Sequence, residues 1–201
     1  MRKMKRVSDK KYSKKEQGMK LTFIRHGKTQ GNLESRYVGR TDQPLCAEGC
    51  EELLTRKAAG EYPAAPLIVF VSPLLRCRES ASIIFPSALQ IPVAEFTECD
   101  FGEFEMKNYE ELDGNPVYQA WIDSGGTAPF PNGESMSQMK ARALRGFYRV
   151  MEQTGGNDAC FVVHGGTIMA ILSQIAGGDF YDYQVENGEC IIYETAPSAE
   201  V

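Results

Sequence analysis

Leu21-Thr22-Phe23-Ile24-Arg25-His26-Gly27 is the stretch on which the fold turns. A short uncharged run rich in β-branched and aromatic residues has the pattern of a strand buried on both faces. It stops at Arg25-His26, and Gly27 opens a turn. Cys160-Phe161-Val162-Val163 has the same build and runs into His164-Gly165-Gly166. The chain has only these two histidines. A histidine on a core strand is usually a packing residue, but that does not explain why both stand where a strand ends and a glycine turn begins. In parallel α/β sheets, ligands bind beyond the carboxyl ends of strands. Arg25 adds a fixed positive charge with a planar fork of donors. Two imidazoles and an arginine at one sheet edge suit an anion.

On either side of these runs strand and helix signals alternate. Leu67–Val71 reads as a third strand, and Cys190–Tyr193 and Val93–Phe96 are further candidates. Helices are expected at 47–59, 74–84, 135–153 and 167–176. In the longest of these, Met136, Met139, Ala143, Phe147 and Val150 form one apolar stripe, and Ser135-Met136-Ser137-Gln138 fits a capping box. The alternation predicts an α/β three-layer sandwich, a mostly parallel central sheet flanked by helices. Residues 98–133 have weak periodicity, with short helices only near Lys107–Leu112 and Val117–Ile122. That segment is expected to be a lid or substrate wall.

With 201 residues and 42% hydrophobic content, the chain can bury one substantial core. No apolar stretch approaches the roughly 20 residues needed to span a bilayer, so no membrane partner is expected. Residues 1–20 carry nine Lys/Arg against Asp9 and Glu16, a local balance of +7. The other 181 residues hold 13 basic and 25 acidic side chains, a balance of -12. A body that acidic repels a polyanion, so no nucleic-acid partner is expected. Met19-Lys20 reads as a natural start. Residues 1–18 are then a basic extension without the apolar middle of a secretory signal, and 19–201 are one domain. The six cysteines are expected to be reduced thiols in the cytoplasm. Two histidines and the lone Cys46-x3-Cys50 pair make a poor ligand set, so neither metal nor cofactor is expected.

Three strand ends carry groups suited to one phosphate. The first offers Arg25, His26, Thr29 and Asn32. The second offers Ser72-Pro73 and, a helical turn on, Arg76. The third offers His164-Gly165-Gly166-Thr167 at a helix start, where backbone N–H groups and the helix dipole attract an anion. A neutral imidazole can attack phosphorus, and a carboxylic acid must protonate the leaving oxygen. The acid-rich segment Glu95-Phe96-Thr97-Glu98-Cys99-Asp100 can supply that acid. Glu98 is the first choice, with Glu95, Asp100 and Glu103 as competitors. Arg78, Cys77, Cys99, Cys160, Tyr109, Tyr118 and Trp121 read as ordinary surface or packing residues.

At these residues the chain resembles the histidine phosphatase superfamily, the phosphoglycerate mutase-like proteins. Arg25-His26-Gly27-Lys28-Thr29 with Asn32 matches the family signature. Tyr37-Val38-Gly39-Arg40-Thr41-Asp42-Gln43-Pro44-Leu45, Ser72-Pro73-Leu74-Leu75-Arg76, Glu98-Cys99-Asp100-Phe101-Gly102-Glu103-Phe104-Glu105 and His164-Gly165-Gly166 follow in the family's order. The resemblance implies that His26 becomes a phosphohistidine and Glu98 is the proton donor. It implies that Arg25, Arg76 and His164 hold the phosphate oxygens, with Asn32, Thr29, Gly39 and Gly165 at the substrate. Two departures stand out. Met106 replaces a glycine common in relatives, which is expected to push a side chain near the pocket wall, and Ser80 replaces a common threonine. Within the family the chain looks similar to the α-ribazole phosphatase branch. That implies a metal-independent phosphomonoesterase, monomeric or homodimeric, acting on a small phosphate monoester. The alternatives are mutase-type phosphoryl transfer and a non-catalytic phosphate-binding protein.

Overall fold

A computed structural model describes residues 18–195. Apart from Gly18, the basic extension read at the N-terminus lies outside the described residues. The elements run β1 (Lys20–Arg25), α1 (Gln30–Leu33), α2 (Ala47–Ala58), β2 (Ile68–Val71), α3 (Leu75–Ile84), β3 (Leu89–Pro92), α4 (Tyr109–Leu112), α5 (Pro116–Asp123), α6 (Met136–Thr154), β4 (Ala159–Val163), α7 (Gly165–Ile175) and β5 (Cys190–Glu194). The strands form one sheet in the order β3-β2-β4-β1-β5. All neighbouring pairs are parallel except β5, which runs antiparallel to β1.

Successive side chains on a strand point to opposite faces, and here the two faces build two cores. Leu21, Phe23, Phe70, Phe161 and Val163 meet Phe147 and Val150 of α6 and Ile168 and Ile171 of α7. Ile24, Val69, Val71, Cys160 and Val162 meet Leu53 of α2 and Cys77, Ala81 and Ile84 of α3. The molecule is the α/β sandwich that the alternation predicts. β4, buried along its whole length, lies at the centre, where full burial of each Phe or Val side chain contributes about 1.5–3 kcal/mol. Register sets the site. Arg25 pairs with Val163 and Val71 with Val162, so β1, β2 and β4 stop at one level. The residues that follow them, His26, Ser72 and His164, share one edge.

Two sequence expectations are corrected. No strand forms at Val93–Phe96; residues Ala94–Phe96 make a 3-10 turn, and β3 comes before it. β3 pairs only with β2, and such an edge tolerates Pro92. Leu89 is exposed there, so the strand lacks the continuous burial that marks the other parallel strands. Helix α7 starts at Gly165, two residues before Thr167, and His164 stands in its N-cap position.

Residues 98–133 are less irregular than their sequence suggests. Cys99, Phe104, Leu112 and Phe130 pack on Met139 and Ala143 of α6 and Ala170 of α7. Tyr37 gathers Phe101, Phe104, Tyr118, Trp121 and Phe130 around its ring at centroid distances of 5.2–6.4 Å. Among the described residues, no helix is long and apolar enough to cross a membrane.

Candidate active site

His26 leaves β1 almost fully buried. Its Nδ1 lies 2.7 Å from the carbonyl of Gly27. A carbonyl only accepts, so Nδ1 carries the proton and Nε2 keeps its lone pair. The turn is held from two sides. Gly27 N–H donates to Ser80 Oγ (2.9 Å), whose hydroxyl donates to the Arg76 carbonyl (2.6 Å), and Asn187 Nδ2 donates to the His26 carbonyl (3.0 Å). Burial first, then the charges of Arg76 and Arg25, hold the His26 pKa well below its ordinary value. The imidazole is therefore uncharged at neutral pH, the state that nucleophilic attack requires.

Arg76 is completely buried on the first turn of α3. Its guanidinium donates to the carbonyls of Thr41 (2.9 Å), Gly39 (2.8 Å) and Val38 (3.4 Å), and from Nε to His26 Nε2 (3.3 Å). Arg25 donates from Nη1 to the Val185 carbonyl (2.7 Å), while its buried Nε finds no acceptor. Burial lowers the Arg25 pKa, against the pull of Glu98 and Glu186. No salt bridge joins either arginine to a carboxylate among the described residues. A buried guanidinium and a half-buried one without an anion are costly, and a phosphate dianion would satisfy both.

His164 closes the other side, with ring centroids 5.0 Å from His26 and planes at 69°. Its Nε2 lies 2.7 Å from Ser72 Oγ, and the Cys77 thiol rests 3.6–3.7 Å from both ring nitrogens. Burial, then Arg76, lowers its pKa well below the usual imidazole value. The N–H groups of the first turn of α7 have no intrahelical partners and lie at this edge.

The carboxylates left open by the sequence separate here. Glu95 pairs with Arg149, Asp100 accepts from Gly102 N–H, and Glu103 accepts from Asn132. Glu98 accepts from Cys99 N–H (2.9 Å) and is the one of the four that lines a cavity of about 420 Å³, together with Arg25, Gly165 and Gly166. The outer wall of that cavity is aromatic and thioether: Tyr37, Phe101, Trp121, Phe130, Met136 and Met169.

Other site residues lie differently from their sequence reading. Thr29 is fully buried and caps α1: its hydroxyl and its backbone N–H both donate to Asn32 Oδ1, so the hydroxyl is not free for substrate. Gly39 is absent from the cavity lining. A Cβ there would come within 2.1 Å of the Cys99 carbonyl, and its own carbonyl holds Arg76. Met106 does not reach the cavity either; its Cε packs towards Gly31. Its φ is +60°, a left-handed conformation that glycine adopts without cost. Arg78 is exposed and Cys77, Cys99 and Cys160 are buried, as read from the sequence. Trp121 both packs in the aromatic cluster and lines the cavity.

Sequence reasoning missed the loop before β5. Val185 holds Arg25, Asn187 holds His26, and Glu186 is a second carboxylate on the cavity. The Asn187-Gly188 turn dipeptide is the only signal that marked it. A larger open groove of about 960 Å³, running past Pro73, Arg78 and Pro92, includes neither Arg25 nor Glu98, whereas the smaller cavity is lined by both.

The family model of the histidine phosphatase superfamily (branch 1) matches residues 21–200, which include all of these residues. The chain belongs to the histidine phosphatase superfamily. This histidine phosphatase is 34% identical over 167 residues to the 2,3-bisphosphoglycerate-dependent phosphoglycerate mutase 2 of Gloeobacter violaceus, covering 77% of this chain and 74% of the relative. It is 29% identical to the adenosylcobalamin/alpha-ribazole phosphatase of Escherichia coli, covering 79% and 80%. Among solved structures, the alpha-ribazole phosphatase of Shigella flexneri superimposes with a TM-score of 0.76 at 25% identity, covering 87% and 89%. The protein is an enzyme of this phosphatase and mutase family.

Proposed function

We propose that this histidine phosphatase hydrolyses a small phosphate monoester without a metal ion. The observation that carries the reading is the buried Arg76 and the half-buried Arg25, neither with a carboxylate partner, flanking an uncharged imidazole whose Nε2 lone pair accepts from Arg76 Nε. His26 Nε2 attacks phosphorus, the N–P bond forms, and the ester P–O bond breaks. The leaving oxygen takes a proton from Glu98. Glu98 then removes a proton from water, whose oxygen attacks phosphorus and releases inorganic phosphate and His26. Arg25, Arg76 and His164 hold the phosphoryl oxygens throughout, so positioning and charge account for most of the rate. Asn32 and the first turn of α7, at Gly165, assist at the same oxygens.

Residues 98–133 supply the wall on which the ester group rests. Tyr37, Phe101, Trp121 and Phe130 offer planar apolar surface, which suits an ester bearing an aromatic ring. The Escherichia coli relative is named an adenosylcobalamin/alpha-ribazole phosphatase, and α-ribazole 5'-phosphate is an ester of this kind. The 34% identity to a phosphoglycerate mutase favours the second reading, transfer between phosphoglycerates. Against it, an aromatic and thioether wall gives a glycerate carboxylate few partners. A cytoplasmic setting is supported by six free cysteines. The deciding experiment is a phosphate-release screen in chelator, with α-ribazole 5'-phosphate, an aryl phosphate and 3-phosphoglycerate. Release from the aromatic esters is expected. Isomerisation of the phosphoglycerate without release would establish the mutase, and loss of turnover in chelator would end the metal-free mechanism.

A further inference from the structure

Helix α6 lies outside the phosphate pocket, yet it carries the side chain with the most bonds to the acid segment. All five N–H directions of the Arg142 guanidinium are used. Nη1 donates to the carbonyls of Glu95 (2.8 Å) and Thr97 (2.7 Å), Nη2 to the carbonyl of Glu98 (3.2 Å), and Nε and Nη2 to the two carboxylate oxygens of Glu134 (2.8 and 2.6 Å). Glu134 in turn accepts from Asp100 N–H (3.1 Å) and donates its own N–H to the Asp100 carbonyl (2.9 Å). The backbone is therefore gripped on both sides of Glu98. One turn further along α6, a Cβ at Gly146 would lie 2.7 Å from Glu95 Cβ, so the helix and the acid segment touch. At the other end, Glu98 Oε1 would lie 2.7 Å from a Cβ at Gly166, which rests the carboxylate against the first turn of α7.

We propose that Arg142 is a positioning residue for proton donation: it fixes the Glu98 carboxylate over the leaving oxygen without touching substrate. Its side chain is only 14% exposed, and it is not part of the cavity lining. A general acid must come within about 2.6–3.2 Å of the atom it protonates, so a loosened segment loses proton transfer before it loses phosphate binding. The inference rests on Glu98 being the acid.

The test compares two esters of similar size in Arg142→Gln, Arg142→Lys and Glu98→Gln. 4-Nitrophenyl phosphate leaves as a stable phenolate and needs no proton; benzyl phosphate leaves as an alkoxide and does. The ratio kcat/KM reports the first irreversible step, which includes departure of the leaving group. For Arg142→Gln, the expected fall is about 10²-fold on benzyl phosphate and less than about fivefold on 4-nitrophenyl phosphate, the signature of a lost general acid. Arg142→Lys, which keeps the charge beside Glu134 but cannot span three carbonyls, should show the same leaving-group bias even if the Gln variant fails to fold. Equal falls on the two esters would reduce Arg142 to a structural role and overturn the proposal. If Glu98→Gln itself shows no bias, the acid lies elsewhere and the reading beneath the proposal fails first.

Discussion

Arg76 Nε donates to His26 Nε2 across 3.3 Å, so the charge that receives the phosphate and the lone pair that attacks it share one hydrogen bond. Three of the other four N–H groups of this guanidinium donate to the backbone carbonyls of Val38, Gly39 and Thr41, which keep the fork aimed, and one N–H on Nη1 stays open. A lysine at this position retains the charge but not the fork. Arg76→Lys is therefore expected to lower kcat on an aryl phosphate by about 10²–10³-fold, as removal of one preorganised donor does elsewhere. Wild-type turnover in that variant would remove Arg76 from the transition state.

The two histidines also predict how stability follows pH. Burial, and next the Arg76 charge, depress both imidazole pKa values in the folded protein. Below pH ~6.5 the unfolded chain binds protons at these sites that the folded chain refuses. Their contribution is thus fully present above about pH 6.5 and is lost as pH falls through that value towards the folded pKa, at up to about 1.4 kcal/mol per pH unit for each histidine. Urea midpoints at pH 7 and pH 5 test this directly. His164→Gln should flatten the dependence, and an unchanged slope in that variant would count against a buried neutral His164.

The parts of the site legible in the sequence share one physical origin. β1, β2 and β4 are buried on both faces, so each reads as an uninterrupted apolar run, and each ends in a polar residue of the pocket. β3 is an edge strand with exposed Leu89 and a proline, and burial is the signal it lacks. Glu98 could not be told from Glu95, Asp100 and Glu103 because nothing local distinguishes four nearby carboxylates. Arg149 and Asn132, the partners of Glu95 and Glu103, are settled only by tertiary packing, while Asp100 is held by the N–H of Gly102 two residues on. Val185, Glu186 and Asn187 reach Arg25 and the cavity from some 160 residues away in the chain.

Ser80 ties α3 to the turn that carries His26. Its hydroxyl accepts from Gly27 N–H and donates to the Arg76 carbonyl, all in a site with no solvent access. Ser80→Ala strands a buried N–H, which costs about 1–3 kcal/mol. A fall of that size in unfolding free energy is expected, together with a reduced rate of His26 phosphorylation in rapid-quench measurements. A variant as stable as wild type would show that Gly27 finds another acceptor.

Met106 holds φ at +60°, in the left-handed region. A left-handed conformation costs a residue with a Cβ about 1–2 kcal/mol. Both Met106→Gly and Met106→Ala lose the thioether contact towards Gly31, but only glycine loses the strain as well. The glycine variant should therefore be the more stable of the two by about 1 kcal/mol in urea denaturation, after its greater unfolded-state entropy is subtracted. An alanine variant of equal or greater stability would show that the loop relaxes out of this conformation.

Trp121 makes the aromatic wall testable apart from the chemistry. It stacks on Phe130 with centroids 4.9 Å apart and lines the cavity beside Tyr37 and Phe101. It makes no hydrogen bond to His26, Arg76 or Glu98, so its removal should leave the phosphoryl transfer step intact. An aromatic contact contributes about 0.5–1.5 kcal/mol beyond its buried area. Trp121→Ala is then expected to raise KM for benzyl phosphate about tenfold while kcat stays within about twofold. Methyl phosphate, which has no ring to rest on the wall, should show an unchanged KM. Parallel losses on both esters would mean that Trp121 supports the phosphate pocket itself, and the ester group would have to bind elsewhere.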